Sequence, residues 1–134
     1  MSRLYREIGD IILWTVLKEA HHIMPAISVS ETKGIQILEI TGRMDGELAA
    51  AMGQALEEIL SQGHDKLVLN LGNVDYISSP GLREIVRAYK RAQAGGGDLR
   101  IASPSERVMD VFKLAGLDTT LQIFRSDIQA VDSF

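Results

Sequence analysis

At 134 residues, with 46% hydrophobic and 24% charged side chains, the chain is one domain's worth of polypeptide and too apolar to stay disordered. Eighteen acidic residues against fourteen basic ones leave a net charge of −4, which argues against a nucleic-acid binder that works by neutralising phosphates. The absence of cysteine excludes a disulfide framework, a thiolate zinc site and a cysteine nucleophile, and makes the cytoplasm the expected address.

Residues 4–24 read as one helix. Leu13, Leu17, Ala20 and Met24 fall on one face, Leu4, Ile8, Ile11 and Ile12 extend a second apolar patch, and Pro25 is the stop. The apolar run Ile11–Leu17 is too short to span a bilayer and follows Glu7 and Asp10. Neither membrane insertion nor a secretion signal is therefore expected. Two readings of this helix stand side by side: packing on its own domain, or homodimerisation and partner docking through the surplus apolar surface.

From Ala26 the pattern changes. Ile27–Glu31 and Ile35–Thr41 each alternate with period two around Thr32-Lys33-Gly34, which predicts a hairpin. Asp45 is a candidate N-cap for the helix that follows, with Leu48, Ala51, Met52, Ala55, Leu56 and Ile59 on one stripe and Gly63 at its end. Lys66–Leu71 suits a strand covered on both faces. After the turn at Ser78-Ser79, a helix over Pro80–Ala94 carries Leu82, Ile85, Val86 and Tyr89 on one side. Leu99–Ala102 is a strand, Glu106–Gly116 a helix, Leu121–Phe124 a last strand, and Ser126 caps a final helix. Strands alternating with helices predict right-handed βα units, so the fold class is α/β: a mixed, mostly parallel sheet of four to five strands with helices packed on it. Residues 1–25 form an N-terminal helical extension and 26–134 the domain.

The chemistry-bearing candidates are few. Pro80 fits the first helical position, which makes Ser79 the expected N-cap. The same place, at the positive end of a helix, would also stabilise a phosphate on Ser79. Gly81 has poor helix propensity and suggests room for another molecule to approach. An esterase elbow needs glycine two residues before the serine, and that residue is Ile77. His64, His21 and His22 do not follow the serine in the order a triad of that fold uses, so a serine hydrolase is the weakest reading. Gly95-Gly96-Gly97-Asp98 leaves a helix and enters a strand, which marks a C-cap turn and not a phosphate loop. Adjacent His21 and His22 point to different sides of a helix, and no metal site is visible. Asp45 reads as a cap and Asp75 as a turn residue before Tyr76. With parallel strands, the loops holding Asp45 and Ser79 should emerge at one sheet edge, where such folds place ligands.

From about Ile27 to Val131 the chain resembles a STAS domain of the bacterial anti-sigma-factor antagonist type. Thr41–Asp45 (TGRMD) is similar to the family's G-x-(L/M)-D step. The stretch KLVLNLGNVDYISSPGLREIV resembles its strand, turn and Ser-Ser-x-Gly-Leu signature, and GGGDLRIASPSERVMDVFKLAGLD its closing segment. The resemblance implies that Ser79 is the phosphoacceptor. It also implies a partner surface from Gly42, Asp45, Ser78, Gly81 and Leu82, flanked by Asp75, Tyr76, Pro80 and Arg83. The implied partners are an anti-sigma factor with a histidine-kinase-like ATPase fold, which uses ATP and magnesium, and a serine phosphatase that resets the switch. No cofactor is implied for this chain, and no enzymatic activity. Three residues depart from the pattern: Ser78 stands where aspartate is frequent, Asn70 replaces an aspartate, and Pro80 takes a small residue's place. A non-switching STAS scaffold, as in stressosomes or transport complexes, is the alternative, drawn from the apolar N-terminal extension.

Overall fold

The computed structural model describes residues 26–134. The helix expected over residues 4–24, with His21 and His22, lies outside the described residues.

Strands β1 (Ile27–Thr32) and β2 (Ile35–Met44) form the expected antiparallel hairpin, with Thr32 opposite Ile35. Lys33 and Gly34 turn between them in left-handed backbone, φ 55° and 79°, whose twist suits the flanking strands. Helix α1 (Gly46–Ser61) then crosses to β3 (Lys66–Ile77), α2 (Ser79–Ala94) to β4 (Asp98–Ala102), and α3 (Glu106–Leu114) to the two-residue strand β5 (Ile123–Phe124). The short helix α4 (Asp127–Asp132) closes the chain. The sheet order is β1-β2-β3-β4-β5, with every pairing after the hairpin parallel. This is the mixed, mostly parallel sheet that the alternation of patterns requires.

The two faces of the sheet are unequally covered. Leu38, Ile40, Leu67, Leu69, Leu99 and Ile101 meet α1, α2 and α3 in one large core, where Phe112 is fully buried. The opposite face carries Ile35, Ile37, Val68 and Ala102, covered by Ala130 and Val131 of α4. Each fully buried apolar side chain contributes about 1.5–3 kcal/mol, so the larger core dominates stability. Asn70 belongs to the lesser face, where its amide donates to the Asp127 carboxylate at 2.8 Å and its carbonyl oxygen accepts from the Gly72 N–H at 2.8 Å. An aspartate there would set two carboxylates against each other. The departure at Asn70 is thus a local pairing that joins β3 to the start of α4.

Several boundaries and faces differ from the sequence expectation. In α1 the buried stripe is Ala49, Met52, Leu56, Ile59 and Leu60, while Ala51 is exposed. In α2 it is Gly81, Ile85, Ala88 and Ala92, with Leu82, Val86 and Tyr89 only half-buried. Small residues line this face because α2 packs closely against the sheet and α1. Helix α3 stops at Leu114, two residues early, where Gly116 turns through φ 73° into a 3-10 turn over Leu117–Thr119. The last strand shortens because Leu121 is drawn into the core before pairing begins. Gly95 receives the end of α2 and Gly96 turns through φ 89°, so the glycine run is the expected helix exit.

Candidate partner-docking site

Strands β2 and β3 run parallel and finish in register, Met44 beside Ile77. The Ser78 N–H donates to the Met44 carbonyl at 2.9 Å and locks the two exits together. Asp45 and Ser78 follow at once, each capping a helix. The Asp45 carboxylate accepts from the Leu48 N–H at 2.9 Å, and the Ser78 hydroxyl accepts from the Gly81 N–H at 3.3 Å. The loops expected at one sheet edge do share it.

The two serines have exchanged the roles that local sequence grammar assigns. Ser78, in extended backbone with φ −89° and ψ 169°, is the N-cap of α2. Ser79 is the first helical residue and Pro80 the second. Proline is tolerated there too, since the amide it lacks would have no intrahelical acceptor anywhere in the first turn. Ser79 is therefore exposed, and among the described residues its hydroxyl takes no part in capping or any other hydrogen bond. A hydroxyl free of structural duty is open to chemistry without cost to the helix.

Asp75 is not a turn residue. β3 continues six residues beyond Leu71, and two irregularities interrupt its pairing with β2. One falls between the pairs Glu39–Asn70 and Thr41–Asn73, the other between Gly42–Val74 and Arg43–Tyr76. Asp75 is the extra residue of the second, an exposed bulge position that leaves its carboxylate in solvent. Gly42 meets this bulge from β2 with φ 124°, backbone that a side chain would strain. Tyr76 remains 39% exposed, and the Arg43 guanidinium lies over its ring at 3.8 Å from the centroid.

Gly81 has a different reason from the one its sequence suggests. It is buried, and a Cβ there would lie 2.6 Å from Met44 Cγ and 3.0 Å from Ile77 Cγ1. The space is filled by the chain's own core, so Gly81 lets α2 approach the strand ends and offers nothing to an incoming molecule. Of the remaining candidates, Asp45, Asp75, Tyr76 and Arg83 are exposed, while Ser78, Pro80 and Leu82 are half-buried at the rim.

Sequence reasoning missed the neighbouring groove. One flank is α2, with Leu82, Arg83, Val86 and Lys90, and the other is Ala115 and Leu117 beyond α3, enclosing about 520 Å³. Leu114, 88% exposed, stands nearby on the end of α3. The signal was present: Leu82 and Val86 lie one turn apart, edged by Arg83 and Lys90. They look like core positions until α1 and the sheet are seen to occupy the glycine-alanine face instead. No group of side chains among the described residues could hold a metal ion, and no described helix is long and apolar enough to cross a membrane.

Residues 26–130 match the STAS domain family model, the span that holds both helix caps, the bulges and the groove. The chain belongs to the STAS domain family. It is similar to a candidate anti-sigma factor antagonist of Thermotoga maritima, 33% identical over 76 residues, covering 57% of this chain and 67% of that one. It is also similar to the anti-sigma-B factor antagonist of Bacillus subtilis, 29% identical over 97 residues and covering 72% and 88% of the two chains. The crystal structure of a T. maritima candidate antagonist superposes with a TM-score of 0.76 at 26% identity, over 87% of this chain and 97% of that one. STAS anti-sigma factor antagonists are regulatory proteins without enzymatic activity.

Proposed function

We propose that this STAS protein is a phosphorylation-controlled partner switch of the cytoplasm. Unphosphorylated, it docks an anti-sigma factor of histidine-kinase-like ATPase fold through the edge formed by Asp45, Asp75, Tyr76, Pro80, Leu82 and Arg83, and so frees the sigma factor. The partner then transfers the γ-phosphoryl group of ATP to Ser79 Oγ: an O–P bond forms, the bond to ADP breaks, and the hydroxyl proton is lost. The phosphoserine brings nearly two negative charges to a chain already at −4, beside Asp45 and Asp75, and the complex separates. A serine phosphatase resets the cycle.

The observation that carries this reading is the freedom of Ser79. In a family whose relatives are named as anti-sigma factor antagonists, the helix is capped by Ser78 while the next hydroxyl is exposed and makes no hydrogen bond among the described residues. Incubation with the cognate kinase, ATP and magnesium, followed by peptide mapping, tests it. Label is expected on the wild type and on Ser78→Ala and not on Ser79→Ala; undiminished label on Ser79→Ala overturns the assignment. The alternative of a constitutive scaffold draws on the apolar residues of the N-terminal extension. Light scattering on the full chain and on a chain starting at Met24 separates the two, since a simple switch stays small in both.

A further inference from the structure

An anion at a helix start ordinarily takes its hydrogen bonds from the free amides of the first turn. In α2 those amides are largely committed. Pro80 has no N–H, the Gly81 N–H donates to the Ser78 hydroxyl at 3.3 Å, and the Leu82 N–H donates to the Ser78 carbonyl at 3.1 Å. Only the Ser79 N–H lacks a partner among the described residues. A phosphoryl group on Ser79 must therefore find its counter-charge in a side chain.

The charged groups at this end are few, and most are engaged. Asp45 holds the start of α1 and Asp75 stands on the bulge, and both oppose a second anion. The Arg43 guanidinium is stacked on Tyr76. On α2, Arg87 pairs with Glu84 at 3.5 Å and Arg91 pairs with Glu57 of α1. Arg107, on α3 whose cap Ser105 donates to the Val74 carbonyl, is exposed and forms no ion pair among the described residues, and on Ser79's own helix the same is true of Arg83. Arg83 also lies four residues after Ser79, the spacing that stacks two helical side chains on one face, with the acidic member towards the N-terminus.

We propose that Arg83 is the counter-ion of the phosphoseryl group at position 79. The planar guanidinium meets the phosphate with two N–H donors, holds it as the dianion and lays it along α2. Arg83 also lines the apolar groove beside Leu82 and Val86, so the same contact turns its charge away from the groove. Phosphorylation then changes the docking face twice, by the charge it adds and by the arginine it draws off.

This inference rests on the reading that Ser79 is the phosphoacceptor, and its test is built so that the two fail separately. Phosphoserine is installed at position 79 of the full-length chain during translation, and its second ionisation is followed by phosphorus NMR in the wild type, Arg83→Gln, Arg83→Lys and Arg43→Gln. The second pKa should rise by about half a unit in Arg83→Gln, as expected for loss of an exposed ion pair. Arg83→Lys should restore most of the shift, and salt near 1 M should erase the difference. Wild-type titration in Arg83→Gln overturns the proposal, as does a shift in Arg43→Gln alone or a lysine variant that behaves like glutamine. Circular dichroism of the unphosphorylated variants confirms that their folds are intact. Because no kinase is involved, failure of the kinase to label Ser79 sinks the switch and leaves this titration readable.

Discussion

The two halves of β3 obey different rules. Leu67–Asn70 pairs regularly on both sides, and Leu67, Val68, Leu69 and Leu71 are inaccessible to solvent. Gly72–Ile77 keeps only its β2 neighbour, is interrupted around Asp75, and leaves Asp75 and Tyr76 in solvent. The first half holds the domain together and the second carries the candidate site. Stability and the candidate site are thus divided along a single strand, which lets the exposed end vary its chemistry while the core stays intact.

This division is open to direct attack, beginning with its buried half. Leu69→Ala removes a fully buried side chain from between sheet and helices and should cost about 3 kcal/mol, read from the urea midpoint. Tyr76→Ala on the same strand should stay within about 0.5 kcal/mol, and comparable losses at both positions would erase the contrast. Next in size is Gly81→Val, which forces Met44 and Ile77 apart and should cost about 2 kcal/mol, read in the same way. A Gly81→Val chain of unchanged stability would mean that the strand exits are looser than their packing implies. Third is the pair of serines. Ser78→Ala should lose about 1 kcal/mol as a helix cap, whereas Ser79→Ala should lose almost nothing in thermal unfolding while abolishing phosphate uptake. The reverse order would return the cap to Ser79.

The smallest effect lies away from the site, between α1 and α2. There the Arg91 guanidinium holds the Glu57 carboxyl below its usual range, with a hydrogen bond from Ser61 in support. A carboxyl depressed in the folded state contributes its stability above its unfolded pKa of about 4.3 and loses it as pH falls through the lower folded value. Glu57→Gln should therefore be slightly less stable than the wild type at neutral pH, and the two should converge under acid. The pair is exposed and screened, so the gap should shrink with salt as well. A gap that persists at low pH would show the loss to be packing and not charge.

Much of the molecule was readable before any coordinates. The period-two strands around Lys33-Gly34, the helices between apolar runs and the glycine exit at Gly95 all rest on interactions within a few residues, which the chain cannot avoid making. The Ser-Ser-Pro-Gly-Leu turn was likewise visible as a helix start. Which serine caps it was not, because Pro80 is admissible at either of the first two helical positions and the choice falls to the Ser78–Met44 hydrogen bond across the sheet. The bulge at Asp75, the groove beside Val86 and the burial of Gly81 escaped for one reason: each depends on a neighbour distant in the chain.

By itself, then, the sequence determined the order of strands and helices along the chain, the class of fold and the short stretch that holds the candidate site, since local periodicity and turn chemistry dictate these. Tertiary structure decided which of the two turn serines caps α2, which face of α2 is left to solvent, and that Arg83 has no ion-pair partner among the described residues. Those outcomes depend on β2 and α1 occupying one side of the helix, and no local rule can state that in advance.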